Sequence, residues 1–107
     1  MSKKHMISIA EDFSVYPGGR TPEDGDFSGQ EFRDNILIPA LRKYDMVEVN
    51  LDGTRGYGSS FLEESFGGLL RNGFTFNEVK RKLLIISSRN SFKEEIEGYI
   101  AKASEAN

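Results

Sequence analysis

Apolar residues recur along this chain in three helical stripes separated by runs with strand character. From Phe32 the stripe continues through Ile36, Leu37, Ala40 and Leu41, spacings of three and four that mark one helix face. Phe61, Leu62, Ser65, Phe66, Leu69 and Leu70 form a second stripe, and Phe92, Ile96, Tyr99, Ile100 and Ala103 a third. Each opens on a serine with glutamate three residues later: Ser28 and Glu31, Ser60 and Glu63, Ser91 and Glu94. In such a capping box the serine oxygen accepts from a first-turn N–H, and the glutamate accepts from the N–H of the cap residue. Three helices starting at these serines are predicted. Pro39 falls inside the first, where it lacks a donor and crowds the carbonyl four residues back, so a kink or break is expected there. Residues 40–43 would then continue as a final turn. Asn72-Gly73 stops the second helix, and the third frays into the polar tail 104–107.

Met6 to Ala10 and Met46 to Leu51 alternate apolar and polar positions, as strands do. Leu83 to Ile86 is continuously apolar, the pattern of a strand covered on both faces. Thr75 to Val79 reads equally as irregular chain or a short helical turn. Pro17, Gly18, Gly19, Pro22 and Gly25 predict a loop from Glu11 to Phe27, with room for a short strand at Phe13 to Tyr16 pairing back onto the first. Strand, helix, strand, helix over 46–103 predicts a βαβα unit with parallel strands and a right-handed crossover.

Composition agrees with a single α/β domain over 1–107. The chain has 107 residues, 37% hydrophobic and 29% charged, enough for a modest core in a soluble protein. A net charge of -3, mixed in sign, carries no footprint of nucleic acid or an anionic membrane. The densest basic run, Lys80-Arg81-Lys82, reads as a solvated face. Without cysteine there are no disulfides, thiolate metal sites or cysteine nucleophiles, and a reducing compartment is permitted. The first apolar run is too short for a signal peptide, and no stretch approaches the roughly 18 apolar residues of a membrane span. A cytoplasmic protein is expected.

Chemistry in a parallel sheet gathers beyond the carboxyl ends of the strands. That edge would hold Asp52 to Ser60 and Ser88-Arg89-Asn90, where helix N-termini present free N–H groups. The glycines at 53, 56 and 58 do not form a dinucleotide or phosphate-loop fingerprint, and Gly58-Ser59-Ser60-Phe61 is not a nucleophile elbow. His5, the single histidine, lies near an end expected to be loosely held, and cannot build a multi-histidine metal site. Glu63 and Glu64 are adjacent, hence about 100° apart on a helix, and would not face one substrate as paired catalytic carboxylates must. The acidic cluster Glu23, Asp24 and Asp26 lacks the spacing of a calcium loop. No enzyme activity, cofactor or metal is therefore expected. Asp52 is open to a metal or acid–base role or to an Asx-turn leaving the strand. Asp52, Thr54, Arg55 and Arg89 could together receive a small anion or nucleotide. Gly67-Gly68 costs about 1 kcal/mol per glycine relative to alanine inside a helix, which implies close packing by a neighbouring element or a partner.

The run from Val49-Asn50-Leu51-Asp52-Gly53 to Ser59-Ser60-Phe61-Leu62-Glu63-Glu64-Ser65-Phe66-Gly67-Gly68-Leu69 resembles the STAS-like domain family of unknown function DUF4325. Gly19-Arg20, Ser28-Gly29-Gln30-Glu31-Phe32-Arg33 and Leu37-Ile38-Pro39 extend the resemblance upstream, over about residues 6 to 100. More distantly, the chain is similar to the STAS domains of anti-sigma-factor antagonists. The resemblance implies a small mixed sheet of about four strands with helices mainly on one side. It also implies a non-catalytic, regulatory protein-interaction module that binds a histidine-kinase-like ATPase and is phosphorylated on a serine. Ser59 matches that serine, Ser60 the serine after it, and Asp52 the acidic residue ending the strand. Gly58 replaces the acidic residue of the antagonists, and Phe61 replaces their glycine. The expected docking surface comprises Asp52, Thr54, Arg55, Ser59, Ser60, Phe61, Glu64 and Arg89. Capping accounts for Ser60, which leaves Ser59 as the candidate switch.

Overall fold

Three short strands carry the fold in the computed structural model, which describes residues 3–106. They are β1 (Lys4–Ser8), β2 (Met46–Asn50) and β3 (Leu83–Ile86), in spatial order β1-β2-β3 and parallel throughout. The register aligns Ile7, Val49 and Ile85, and also His5, Val47 and Leu83. Because side chains alternate across a strand, these rows share one face, and Ile7, Val47, Val49 and Ile85 are buried in the core. The other face carries Lys4, Met6, Met46, Glu48, Leu84 and Ile86. It is open: Met6 is 65% and Ile86 36% exposed, and Lys4 Nζ pairs with Glu48 across it at 2.9 Å.

The expected mixed sheet of about four strands is thus a three-stranded parallel one among the described residues. The fourth strand, expected at Phe13 to Tyr16, is pre-empted by α1 (Ile9–Asp12). Ser8 caps this helix: its Oγ accepts from the Glu11 N–H at 3.2 Å, and its own N–H donates to the Asp12 carboxylate at 2.7 Å. The Phe13 N–H then returns to the Ile9 carbonyl (3.0 Å), turning the chain away from the sheet. Nor is the apolar run 83–86 covered on both faces. With only two other strands, β3 lies at an edge, and Leu84 and Ile86 look out over the open face.

The first helical stripe folds as α2 (Gly29–Phe32), a π-helical turn (Arg33–Leu37) and α3 (Ile38–Lys43), continuous in sequence. Its box forms as expected, with Ser28 Oγ accepting from the Glu31 N–H and Glu31 Oε1 accepting from the Ser28 N–H, both at 3.2 Å. Pro39 does not break the helix. The preceding turn widens, so that the Ile38 N–H bonds to the Arg33 carbonyl five residues back. Such a bulge relaxes the crowding between the proline ring and the turn before it.

The second stripe folds as α4 (Ser59–Phe66) and a 3₁₀ segment (Gly67–Asn72), ended by Gly73 at φ +97°. Thr75 opens α5 (Phe76–Lys82) with its own box to Glu78, resolving the ambiguous segment as helix. The third stripe is α6 (Asn90–Glu105). The boxes at Ser60 and Ser91 do not form. Gly58 and Arg89 occupy the N-cap positions of α4 and α6 without a side-chain bond, and both serines lie inside the first turn. Glu63 is drawn to arginines instead, and Glu94 accepts from Asn90 Nδ2 at 3.0 Å.

Helices α2 and α4 meet at backbone distance. A Cβ built on Gly29 would lie 2.6 Å from the Phe61 carbonyl oxygen, which cannot swing away. Gly29→Ala should therefore destabilise the fold by about 1–3 kcal/mol, the range of overpacking. Gly98→Ala in α6, where nothing lies within 4 Å of the added methyl, should stabilise by about 0.5–1 kcal/mol through backbone entropy. Thermal melts followed by circular dichroism check both, and equal melting temperatures would contradict the close approach.

Candidate functional site

The carboxyl ends of β2 and β3 bring two loops together, and Asp52 fastens one to the other. Its Oδ1 accepts from the Ser88 N–H and the Ser88 hydroxyl, both at 2.9 Å. The Asx-turn leaving β2 belongs to Asn50, whose Oδ1 accepts from the Asp52 N–H at 2.8 Å. Thr54 Oγ1 accepts from the Gly56 N–H at 3.2 Å. The Arg55 N–H reaches the Val15 carbonyl (2.8 Å), and its guanidinium lies over Tyr16, 5.7 Å from the ring centre. Arg89 lies similarly over Phe92, at 5.2 Å. Tyr57 anchors the loop from beneath: its hydroxyl donates to the Leu51 carbonyl at 2.6 Å, and burial pushes its pKa up to about 12. Asp52, Arg55, Ser59, Ser60 and Arg89 are exposed and Thr54 half-buried on this rim.

Phe61 and Glu64 do not belong to that surface. Phe61 is fully buried among Tyr57, Phe32 and Phe13, with ring centres 5.8, 6.1 and 6.3 Å away. The phase of α4 requires this, since Leu62, Ser65 and Phe66 occupy the same buried face. Glu64 joins Glu63 in an ion cluster. Arg20 Nη1 bridges the two carboxylates, 2.5 Å from Glu63 Oε1 and 3.0 Å from Glu64 Oε1. Arg71 grips Glu63 through both guanidinium nitrogens, at 2.8 and 2.9 Å. Arg33, only 5% exposed, donates to Glu64 Oε2, to the Glu64 carbonyl (3.1 Å) and to Asp34 (2.8 Å). The adjacent glutamates thus do face one group, because their long side chains converge at the tips although their Cα–Cβ bonds diverge.

Gly67-Gly68 is explained by the same cluster. A Cβ on Gly67 would lie 2.5 Å from Glu63 Oε2, and one on Gly68 2.5 Å from Arg33 Nη1. The glycines make space for charged side chains inside the domain. Sequence reasoning missed Arg20, Arg33 and Arg71 as a group, and the available signal was this glycine pair beside two glutamates. His5 is not at a loose end either: it pairs with Val47 within the sheet and stacks on Tyr44 at 4.4 Å. In the acidic loop, the Asp24 carboxylate accepts from the Thr21 and Arg20 N–H groups, which lower its pKa.

Removing Arg33 would leave the largely buried Glu64 without its closest countercharge. Arg33→Met should cost about 1–3 kcal/mol, less than the full penalty of an uncompensated buried charge because Arg20 still pairs with Glu64, as measured by urea denaturation. Glu63 is held below the ordinary glutamate value of 4.5, first by hydrogen bonds from Arg71, opposed by desolvation and helped by Arg20. Its stabilising contribution is therefore complete above that value and is lost as the pH falls through the depressed native pKa. Glu63→Gln should flatten the acid limb of the stability curve below about pH 4.5 while lowering stability at pH 7. An unchanged acid limb would show that the cluster does not tune Glu63.

Among the described residues, no helix is long and apolar enough to cross a membrane. No curated protein and no solved structure gives a significant match to this sequence. A family model does match, over residues 28–93, from the Ser28 cap through the glutamate and glycine pairs into the first turn of α6. Gly19 and Arg20 lie outside the matched span. Since that span covers more than half of the chain, the protein belongs to the STAS-like domain family of unknown function, DUF4325.

Proposed function

We propose that this protein is a non-catalytic regulatory module of the cytoplasm that docks a protein partner on the rim formed by the Asp52–Ser60 loop and Ser88-Arg89. A histidine-kinase-like ATPase suits this reading, with Ser59 as acceptor of its phosphoryl group. The observation that carries it is the position of Ser59. It is exposed, it is the first residue of α4, and its neighbour Gly58 gives that helix no side-chain cap. A phosphate on Ser59 would add roughly two negative charges, beside first-turn N–H groups that favour an anion. Phe61, the bulky departure from the antagonist pattern, points into the core and leaves Ser59 uncovered. Transfer would join the γ-phosphoryl group of the partner's ATP to Ser59 Oγ, releasing ADP and the hydroxyl proton.

Phe61 and Glu64 drop out of the docking surface, which comes down to Arg55, Ser59, Ser60 and Arg89 held in place by Asp52 and Thr54. A small anion or nucleotide at Arg55 and Arg89 is the competing reading, favoured by the exposure of both guanidinium groups on their aromatic rings. Photo-crosslinking residues at Ser60 and Arg89 should capture an ATPase of this class, whereas one at Glu105 should not. Incubation of the captured pair with ATP should yield a Ser59 phosphopeptide, absent in Ser59→Ala. Ser59→Glu should change partner affinity at least tenfold without shifting the melting temperature. Equal capture from Glu105 would overturn the rim as the docking surface. Stabilisation by free nucleotide, lost in Arg55→Ala, would favour the sensor instead.

A further inference from the structure

The outer edge of β3 lies away from the loops that follow the strands. The Leu51 N–H donates to the Ile86 carbonyl at 2.8 Å, so Ile86 turns its peptide groups toward β2, and by alternation so does Leu84. Ile85 must then turn its N–H and C=O the other way. Leu83 offers less, because its N–H closes α5 on the Val79 carbonyl. The open edge borders a groove of about 490 Å³ between α5 and α6. Its lining is mainly apolar, with Phe76, Val79, Ile96 and Ile100 beside the strand. Three charged side chains also line it: Lys80, held over the Phe76 ring at 5.6 Å, Lys93 and Glu97.

We infer that this groove accepts an extended peptide with apolar residues and acidic ends, which adds a strand to β3. Strand addition draws affinity from main-chain hydrogen bonds and selectivity from alternate side-chain pockets, and Ile85 supplies the donor and acceptor. Four strand residues span about 13 Å at ~3.3 Å each, so the occupant is short. Two lysines against one glutamate favour acidic flanks. A second copy of this chain would bring its own Lys80 and Lys93 to the same groove, where acidic flanks are favoured. Lysines beside an edge strand also guard against unwanted pairing, and that role alone predicts no binding.

The test uses the full chain and fluorescein-labelled peptides. Asp-Val-Ile-Val-Asp should bind at least tenfold more tightly by fluorescence anisotropy than Asp-Val-Pro-Val-Asp, which lacks the central N–H, or Lys-Val-Ile-Val-Lys. Lys80→Glu combined with Lys93→Glu should reverse the charge preference. Hydrogen exchange read by NMR should slow at least tenfold at the Ile85 amide on peptide addition, with Leu84 and Ile86 unchanged. Equal affinity for the three peptides, no binding up to about 1 mM, or protection confined to other residues would overturn the inference. So would concentration-dependent dimerisation that protects the Ile85 amide without peptide.

Discussion

The buried ion pair between Arg33 and Glu64 is the contact on which the helical layer depends. A guanidinium only 5% exposed is costly to desolvate, and it is tolerated here because a carboxylate, a backbone carbonyl and Asp34 receive its donors. It joins the π-helical turn to α4. The same carboxylate pair reaches Arg20 in the long loop and Arg71 in the 3₁₀ segment, so three separate stretches of chain meet at Glu63 and Glu64. Glycine at residues 67 and 68 leaves the space that Glu63 and Arg33 occupy in this convergence. The glutamate pair and the glycine pair are thus one device, six residues long.

That device also sets the rim. α4 is positioned from its inner face by Phe61, Leu62 and Phe66, and from its flank by the two glutamates, while Gly58 gives its first turn no side-chain cap and the exposed Ser59 side chain meets the Tyr99 hydroxyl. Asp52 closes the neighbouring loop onto Ser88, and the Tyr57 hydroxyl pins it to the end of β2. Ser59 therefore stands on a braced scaffold, with the polar side chains around it largely engaged in local bonds. An exposed group on a rigid element suits recognition by a partner, which avoids the entropy of ordering a loose loop.

Much of the fold was legible. The stripes at 32–41, 61–70 and 92–103 are helical and turn largely inward because one helical period governs both properties. The stripe had already placed Phe61 inside, and only alignment with the antagonist pattern put it on the surface. Capping was less readable. Ser28 works because Glu31 stays beside it, whereas Glu63 is claimed by Arg20 and Arg71, which are distant in sequence. Thr75 with Glu78 is the same box written with threonine, and the Ser8 cap, answered by Asp12, was hidden in an alternating run that fits a strand equally well. The rim was legible as a place, from loops following strands, but the engagement of Asp52 with Ser88 joins residues 36 apart and left no local signal.

The sequence by itself determined what short-range physics can decide: which residues turn inward along each helix, where glycine and proline interrupt, and that the unit from residue 46 onward is parallel. Tertiary structure alone decided how many strands pair, which of them is an edge, and which carboxylate each arginine holds. Those outcomes rest on contacts between segments far apart in the chain. Periodicity reports whether a residue seeks burial or water, and it carries no information about the partner that meets it there.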